Sequence, residues 1–539
     1  MPFDFVIVGA GSAGCLLANR LSADGKFSVC LLEAGGDNKS PLVSTPMAMG
    51  ELMTSKKMNW LFETAPENSQ QNREIFCPRG KGLGGSSAIN GMMYVRGHDS
   101  DYDRWVEEGA EGWSFKEVLP YFIKSEHQER GACERHGTDG ELNVSDAQKH
   151  YAFNELFVEA AQELGYPAND DFNGEQQEGV GFYQFNIKNG KRHCAAEAFI
   201  RPIENRTNLT VITGAHACGI EWDENRAVGI TYLNEQGSKL RVDASREVIL
   251  SGGAFNSPQL LMLSGVGDGD ELRKNNITLK HHLPGVGKNL QEHVDALVVR
   301  NAVRGKKGPP AMAPRDLVKE IPGALAYPLT GRGVLAGTPV ETGGFFRSTD
   351  DKDIPDLQWV FLPVKLNDHG RDKNIIRSHG YSSHVALLRP KSRGQVSLYS
   401  ADPLAAPKIQ LNMLSHPDDV KELIAGVKKT RALLSSAVFS EYMADELFPG
   451  EGCQSDEAIE EWLRRSANHV YHPVGTCKMG VDDMAVVDPQ LRVHGLKNLR
   501  VVDASVMPSL IGGNTNAPTY MIAEKAAAMI LQNHAEELS

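Results

Sequence analysis

The apolar positions of this chain fall into short runs separated by glycine turns and by helices with one apolar face. The first run, "FDFVIV" (Phe3–Val8), reads as a buried strand, and the "CLLANRLS" that follows "GAGSAG" suits a helix. A second run, "SVCLLE", ends at Glu33. Near the other end, "NLRVVDASVMP" reads as a buried strand ending at Asp503. The apolar pattern after Pro518 predicts a helix beginning there, which leaves Asn516 just before its N-terminus. In between, "HVALLRPKSRGQVSLYSADPLAAPKI" alternates about a turn at Gly394 and predicts antiparallel strands. "HPDDVKELIAGVKKTRALL" has helical spacing, with Asp418 and Asp419 in its first turn. No apolar run reaches transmembrane length, so no spanning helix is expected.

The first turn carries chemistry. Gly9, Gly11 and Gly14 have GxGxxG spacing between a strand and a helix, and Glu33 closes the next strand. Such glycines allow a tight turn and close backbone approach to a pyrophosphate, whose charge meets free N–H groups at the helix start. Glu33 is placed to accept hydrogen bonds from ribose hydroxyls. These residues predict a dinucleotide site without separating FAD from NAD. A second glycine loop, "PRGKGLGGSSAINGMMYVRG" (Pro78–Gly97), lacks the GKS or GKT ending of a P-loop. Its density of glycine suggests backbone lying against something flat or charged, with Ser86 and Asn90 as the polar groups aimed at a ligand.

Composition narrows the partners. Across 539 residues the net charge is −13, which opposes nucleic acid as the main partner. Eight cysteines without a CxxC pair argue against a disulfide framework and for a reducing compartment. The N-terminus shows no signal-peptide pattern, so a cytoplasmic location is expected and the sequons at Asn143, Asn205 and Asn208 are read as unused. His472 and Cys477 in "YHPVGTCKMG" have no second ligand pair, so no metal is expected. A GxSxG nucleophile elbow is also absent.

Taken together, these motifs resemble the glucose–methanol–choline (GMC) family of flavoprotein oxidoreductases along nearly the whole chain. The carriers are "VIVGAGSAG", "LLEAGG", the second glycine loop, "VILSGGAFNSPQLLMLSGVG", "LPGVGKNLQEH", "YHPVGTCKMG" and "NLRVVDASVMPSLIGGNTNAPTYMIAEK". Within the family the sequence is most similar to the choline-dehydrogenase-like branch, including membrane-associated dehydrogenases of aliphatic alcohols. The resemblance implies an α/β (α+β overall) fold. Its Rossmann-like FAD domain comes from residues 1–150, 190–300 and 465–539, and a substrate domain with an antiparallel sheet from 151–189 and 301–464. It implies FAD contacts at Gly9, Gly11, Ser12, Gly14, Glu33, Ala34, Gly84, Ser86, Asn90, Gly91, Ala217, Asp503 and Ala504. "GAHACGI" departs from a more usual β-branched residue at Ala217.

The same resemblance makes His472 the base that takes the alcohol proton as hydride leaves for flavin N5, with Asn516 holding the substrate oxygen. Some members attach FAD through a histidine in the second glycine loop. Ile89 stands at that position here, so FAD is expected to be non-covalent. The expected reaction is oxidation of a primary, aliphatic alcohol to an aldehyde, with a quinone taking the electrons. An oxidase using O₂, a choline dehydrogenase and a non-redox lyase on the same scaffold are the alternatives. Finally, Arg304–Gly337 is rich in Gly and Pro, basic first and apolar later. It is read either as a loop over the active site or as a surface excursion. Lys306 and Lys307 are expected to meet anionic headgroups, and Leu325, Tyr327, Leu329, Val334 and Leu335 to enter a membrane interface.

Overall fold

The computed structural model describes residues 2–149, 151–303, 309 and 318–535. The first strand, Phe3–Val8, sits inside a seven-stranded sheet. It pairs in parallel with Val29–Leu32 on one side and with Lys239–Leu250 on the other. Leu209–Ile212 extends this parallel core, and Leu499–Val501 joins it beside Lys239–Leu250. Val29, Cys30, Leu31 and Leu32 are all buried, as expected of a strand covered on both faces. The other edge turns antiparallel through Arg226–Leu233 and His216–Asp223.

Helix Ser12–Leu21 leaves the first strand and packs against the last helix, Asn516–Ala535. Two features hold this arrangement. A Cβ at Gly14 would lie 1.9 Å from the Gly9 carbonyl oxygen, so only glycine lets the helix cross the turn this closely. The guanidinium of Arg20 then bridges the two helices to the buried Glu524 at 2.5 Å.

The second seven-stranded sheet is antiparallel throughout. Its order is Met443–Phe448, Val294–Ala302, Gly380–Leu387, Leu357–Leu362, Thr342–Phe346 and Gly179–Phe182, with Asn468–His469 also paired to the second of these. The expected division of the chain placed residues up to 300 with the first sheet. Val294–Asn301 instead pairs here, with Gly380–Leu387 across eight residue pairs.

Side-chain alternation gives this sheet two roles. Leu357, Trp359 and Phe361 point to one face, where Phe157 stacks on Phe361 with centroids 4.6 Å apart. Helix Pro417–Leu434 covers the same face with buried Val420, Leu423, Ile424 and Val427, an i, i+3, i+4, i+7 stripe. Gln358, Val360 and Leu362 alternate to the opposite face and, with Leu297, His384 and Ala386, line the central cavity.

The segment read as a loop contains a helix, Ile321–Thr330, with Pro322 in its first turn and Gly331 at its end in the left-handed region. Ile321, Ala324, Val334 and Leu335 line the cavity, so this part of the segment walls the site. Tyr327 and Val334 are buried, which corrects the expectation that they enter a membrane interface. Lys306 and Lys307 lie outside the described residues.

Candidate active site

One cavity of about 950 Å³ runs between the two sheets and takes in both glycine loops and His472. At its nucleotide end Gly9 has φ +99°, and a Cβ there would lie 2.5 Å from the Ser251 carbonyl oxygen. Gly11 caps helix Ser12–Leu21 without any side-chain cap bond, and a Cβ on it would meet nothing within 4 Å. Free N–H groups beside open space suit a pyrophosphate. The second loop abuts the first: a Cβ at Gly85 would lie 2.6 Å from Gly11 Cα.

The expected cofactor residues divide into two groups. Gly9, Gly11, Ser12, Glu33, Ala34, Ser86, Asn90, Gly91, Ala217, Asp503 and Ala504 all line the cavity. Gly14 and Gly84 are not among the residues lining it. Gly14 serves the helix crossing, and Gly84 has φ +91° with its N–H donated to the Ala10 carbonyl at 2.8 Å. Gly85 lines the cavity in its place.

Glu33 does more than await a ribose. Its carboxylate accepts from the backbone N–H groups of Ala10, Gly35 and Gly82 at 2.8 to 2.9 Å, tying the two loops together. A carboxylate has about four acceptor sites, so one remains for a hydroxyl. Asp503 accepts from Gly253 N–H, Ser257 Oγ–H and Ser505 N–H, fixing the loop that faces the cavity from the other side.

His472 lies at the far end. The preceding Tyr471 has φ +71°, uncommon for a non-glycine residue, and Arg79 holds its carbonyl at 2.5 Å. Glu292 accepts the His472 backbone N–H at 2.6 Å. The protonation pattern of the ring follows from its neighbours. His293 Nε2 faces two carbonyl oxygens, Leu388 at 3.1 Å and Ile511 at 3.0 Å, so that nitrogen carries a proton. Burial pushes His293 down to about 4, so its ring is neutral and Nδ1 is an acceptor.

His293 Nδ1 lies 2.9 Å from His472 Nδ1, which therefore donates. Burial above all holds His472 well below the ordinary imidazole value, and the nearby Arg79 charge adds to it. His472 is thus neutral, with its lone pair on Nε2. Asn514 Nδ2 donates to that lone pair at 3.1 Å.

The amide that meets the His472 ring is a different one from the expected Asn516, which lines the same cavity. The last helix begins at Asn516, two residues before Pro518, so Asn516 lies in its first turn above the first helix. There its Oδ1 accepts from Ser12 Oγ at 2.6 Å. Asn514, in the connection before the helix, is the amide that reaches the imidazole. The repeat in "NTN" offers both, and Asn514 and Asn516 both line the cavity. His293, Glu292 and Asn514 were not singled out in the sequence, although "LQEH" carries the first two.

A glycine cradle and a neutral imidazole share one cavity, an arrangement that suits a nucleotide cofactor beside an acid–base group. Residues 3–295 and 390–523 match the N- and C-terminal models of the GMC oxidoreductases, and the chain belongs to that family. It is 47% identical over 532 residues to an alcohol dehydrogenase [acceptor] of Pseudomonas putida, covering 98% of this chain and 96% of the other. It is 44% identical to human mitochondrial choline dehydrogenase, covering 98% of this chain and 89% of the other. A formate oxidase of Aspergillus oryzae, solved in a study of its FAD modification, superposes with TM-score 0.89 at 29% identity over 99% of both chains. This protein is accordingly an FAD-using oxidoreductase acting on CH–OH donors.

Proposed function

We propose that the protein is an alcohol dehydrogenase that oxidises a primary aliphatic alcohol to its aldehyde with non-covalently held FAD. One observation carries this reading: the unprotonated Nε2 of His472 opens on the same cavity as the glycine cradle. FAD, when bound, supplies the hydride acceptor. The chain supplies the rest. A hydroxyl entering between Asn514 and His472 gives its proton to Nε2, while the Asn514 amide donates to the oxygen as charge develops there. Each alcohol then loses one proton and one hydride.

The cavity wall supports an aliphatic substrate, since Leu297, Val360, Leu362, Ile321 and Val334 all face it. Ile89 also lines it and has no nucleophilic atom to bond a flavin. FAD should therefore leave with acid-denatured protein; yellow precipitate would refute the non-covalent part.

A quinone as electron acceptor and a peripheral membrane site complete the proposal. Val318, Ile321, Leu325 and Leu329 form an exposed stripe beside the cavity wall, with Leu329 92% exposed. No helix among the described residues is long and apolar enough to cross a membrane. The test is anaerobic mixing with a panel of alkanols, choline and aromatic alcohols, followed by reoxidation with a soluble ubiquinone analogue or air. Bleaching by alkanols and fast quinone reoxidation are expected. No bleaching by any alcohol would favour a non-redox role. Fast peroxide formation without a quinone reaction would make it an oxidase. Failure to float with anionic liposomes at low salt would remove the membrane site.

A further inference from the structure

The cavity roof carries a polar cluster that the alcohol-oxidation reading does not use. His384, on strand Gly380–Leu387, lines the cavity and is 19% exposed there. Its Nδ1 lies 2.6 Å from Asp295 Oδ2, so the carboxylate fixes the ring and leaves Nε2 as its open edge. Asp295 is 3% exposed, and its other oxygen, Oδ1, is buried without a hydrogen-bond partner. Asn468 stands opposite Asp295 in the sheet register, also lines the cavity, and its Oδ1 is likewise buried and unpartnered. Buried polar atoms are normally satisfied, so two such oxygens together point to a missing partner.

The placement says what the partner is attached to. His293, which holds His472, directly precedes strand Val294–Ala302, and Asp295, which holds His384, lies two residues further on. That is roughly 7 Å along the chain. Leu297 follows on the same face and is apolar. A molecule with its carbinol at His472 shares the cavity with this second polar station.

We propose that His384 and Asp295, with Asn468, bind a second hydroxyl on the substrate, making a short diol the preferred alcohol over a plain alkanol. A hydroxyl donates its one proton and accepts at its lone pairs, so it can give that proton to Asp295 Oδ1, Asn468 Oδ1 or His384 Nε2 and accept from a neighbouring donor. A quaternary ammonium has no N–H and satisfies none of them. This inference rests on the alcohol-oxidation reading.

The test compares 1-butanol, 1,4-butanediol, 4-amino-1-butanol and choline on the FAD-loaded enzyme by anaerobic rapid mixing. The diol should reduce the flavin with about tenfold higher rate-to-Kd ratio than the alkanol, as one buried polar contact warrants. His384→Leu should abolish that preference while leaving 1-butanol within about twofold. His384→Gln, which keeps a polar edge, should retain part of it, and serves if the leucine variant fails to fold.

Equal wild-type efficiency for diol and alkanol would overturn the inference, as would equal loss for both in His384→Leu. A preference for choline or the amino alcohol over the diol would also overturn it. Calorimetric diol binding needs no turnover. An enzyme that oxidises no alcohol, but binds the diol about tenfold more weakly with His384→Leu, would refute the oxidation reading and keep the subsite.

Discussion

Replacing Asn514 and Asn516 separately by alanine tests the geometry around His472 most directly. The two amides are two residues apart and do different work. In the resting site Asn514 Nδ2 makes a neutral hydrogen bond to His472 Nε2 at 3.1 Å. Such a bond is worth about 1 kcal/mol, or about fivefold. In the proposed reaction the same donor faces an oxygen gaining negative charge, and losing one donor to such an oxygen costs about 10²–10³ in rate. Asn514→Ala should therefore lower the limiting rate of flavin reduction by about 10²-fold and weaken alcohol binding by only about fivefold. Asn516 instead accepts from Ser12 Oγ at the cradle. Asn516→Ala should weaken FAD binding by up to about tenfold, while FAD-saturated enzyme is reduced within about threefold of the wild-type rate. Anaerobic rapid mixing at several alcohol concentrations separates rate from binding, and FAD titration of the stripped protein measures cradle affinity. If Asn516→Ala, saturated with FAD, slows reduction as much as Asn514→Ala does, the assignment of the two amides is wrong.

His472→Ala should keep FAD bound and lower flavin reduction by about 10²–10⁴. Because burial holds the His472 ring neutral, the wild-type rate should stay flat as pH falls through 6.5, and an acid limb above about pH 7 would contradict this. Glu33→Ala leaves three buried N–H groups without an acceptor, so it should lower the melting temperature of the FAD-free protein as well as FAD affinity; a loss of affinity alone would show that the loop-tying bonds matter little. Burial draws His136 down, but its hydrogen bonds to Asp171 and Glu126 outweigh that and raise it from 6.5 to about 9. Its stabilising contribution is complete below about pH 6.5 and lost as pH rises through about 9, so the melting-temperature gap to His136→Gln should shrink between pH 7 and 10; a gap independent of pH would place the effect in packing.

What the sequence revealed and what it hid follow from the range of the interactions concerned. The strand, turn and helix around Gly9–Gly14 are legible because each residue answers a local constraint: a tight turn, an uncapped helix start, a close crossing. The antiparallel roof was legible in part, since "HVALL" alternates. Alternation does not say which face is the cavity, though, and so His384 passed unnoticed beside apolar neighbours. The segment after Arg304 shows the opposite limit, because its glycines and prolines hid a helix whose prolines are Pro322, in its first turn, and Pro328, within it.

The catalytic end is where local reasoning ran out. "NTN" and "LQEH" show the residue types but not their directions, and the last helix begins two residues before the proline expected to start it. The state of His472 is set still less locally. It depends on His293, 179 residues away in sequence, whose own tautomer depends on the carbonyls of Leu388 and Ile511. Those two oxygens have no side-chain identity, so no substitution pattern at 388 or 511 need reveal them. They act through the chain path alone: one ends a strand of the second sheet, the other precedes the last helix. The His472 ring therefore takes this state only once both sheets have closed on His293. Its proton affinity is thus a property of the assembled fold rather than of any motif.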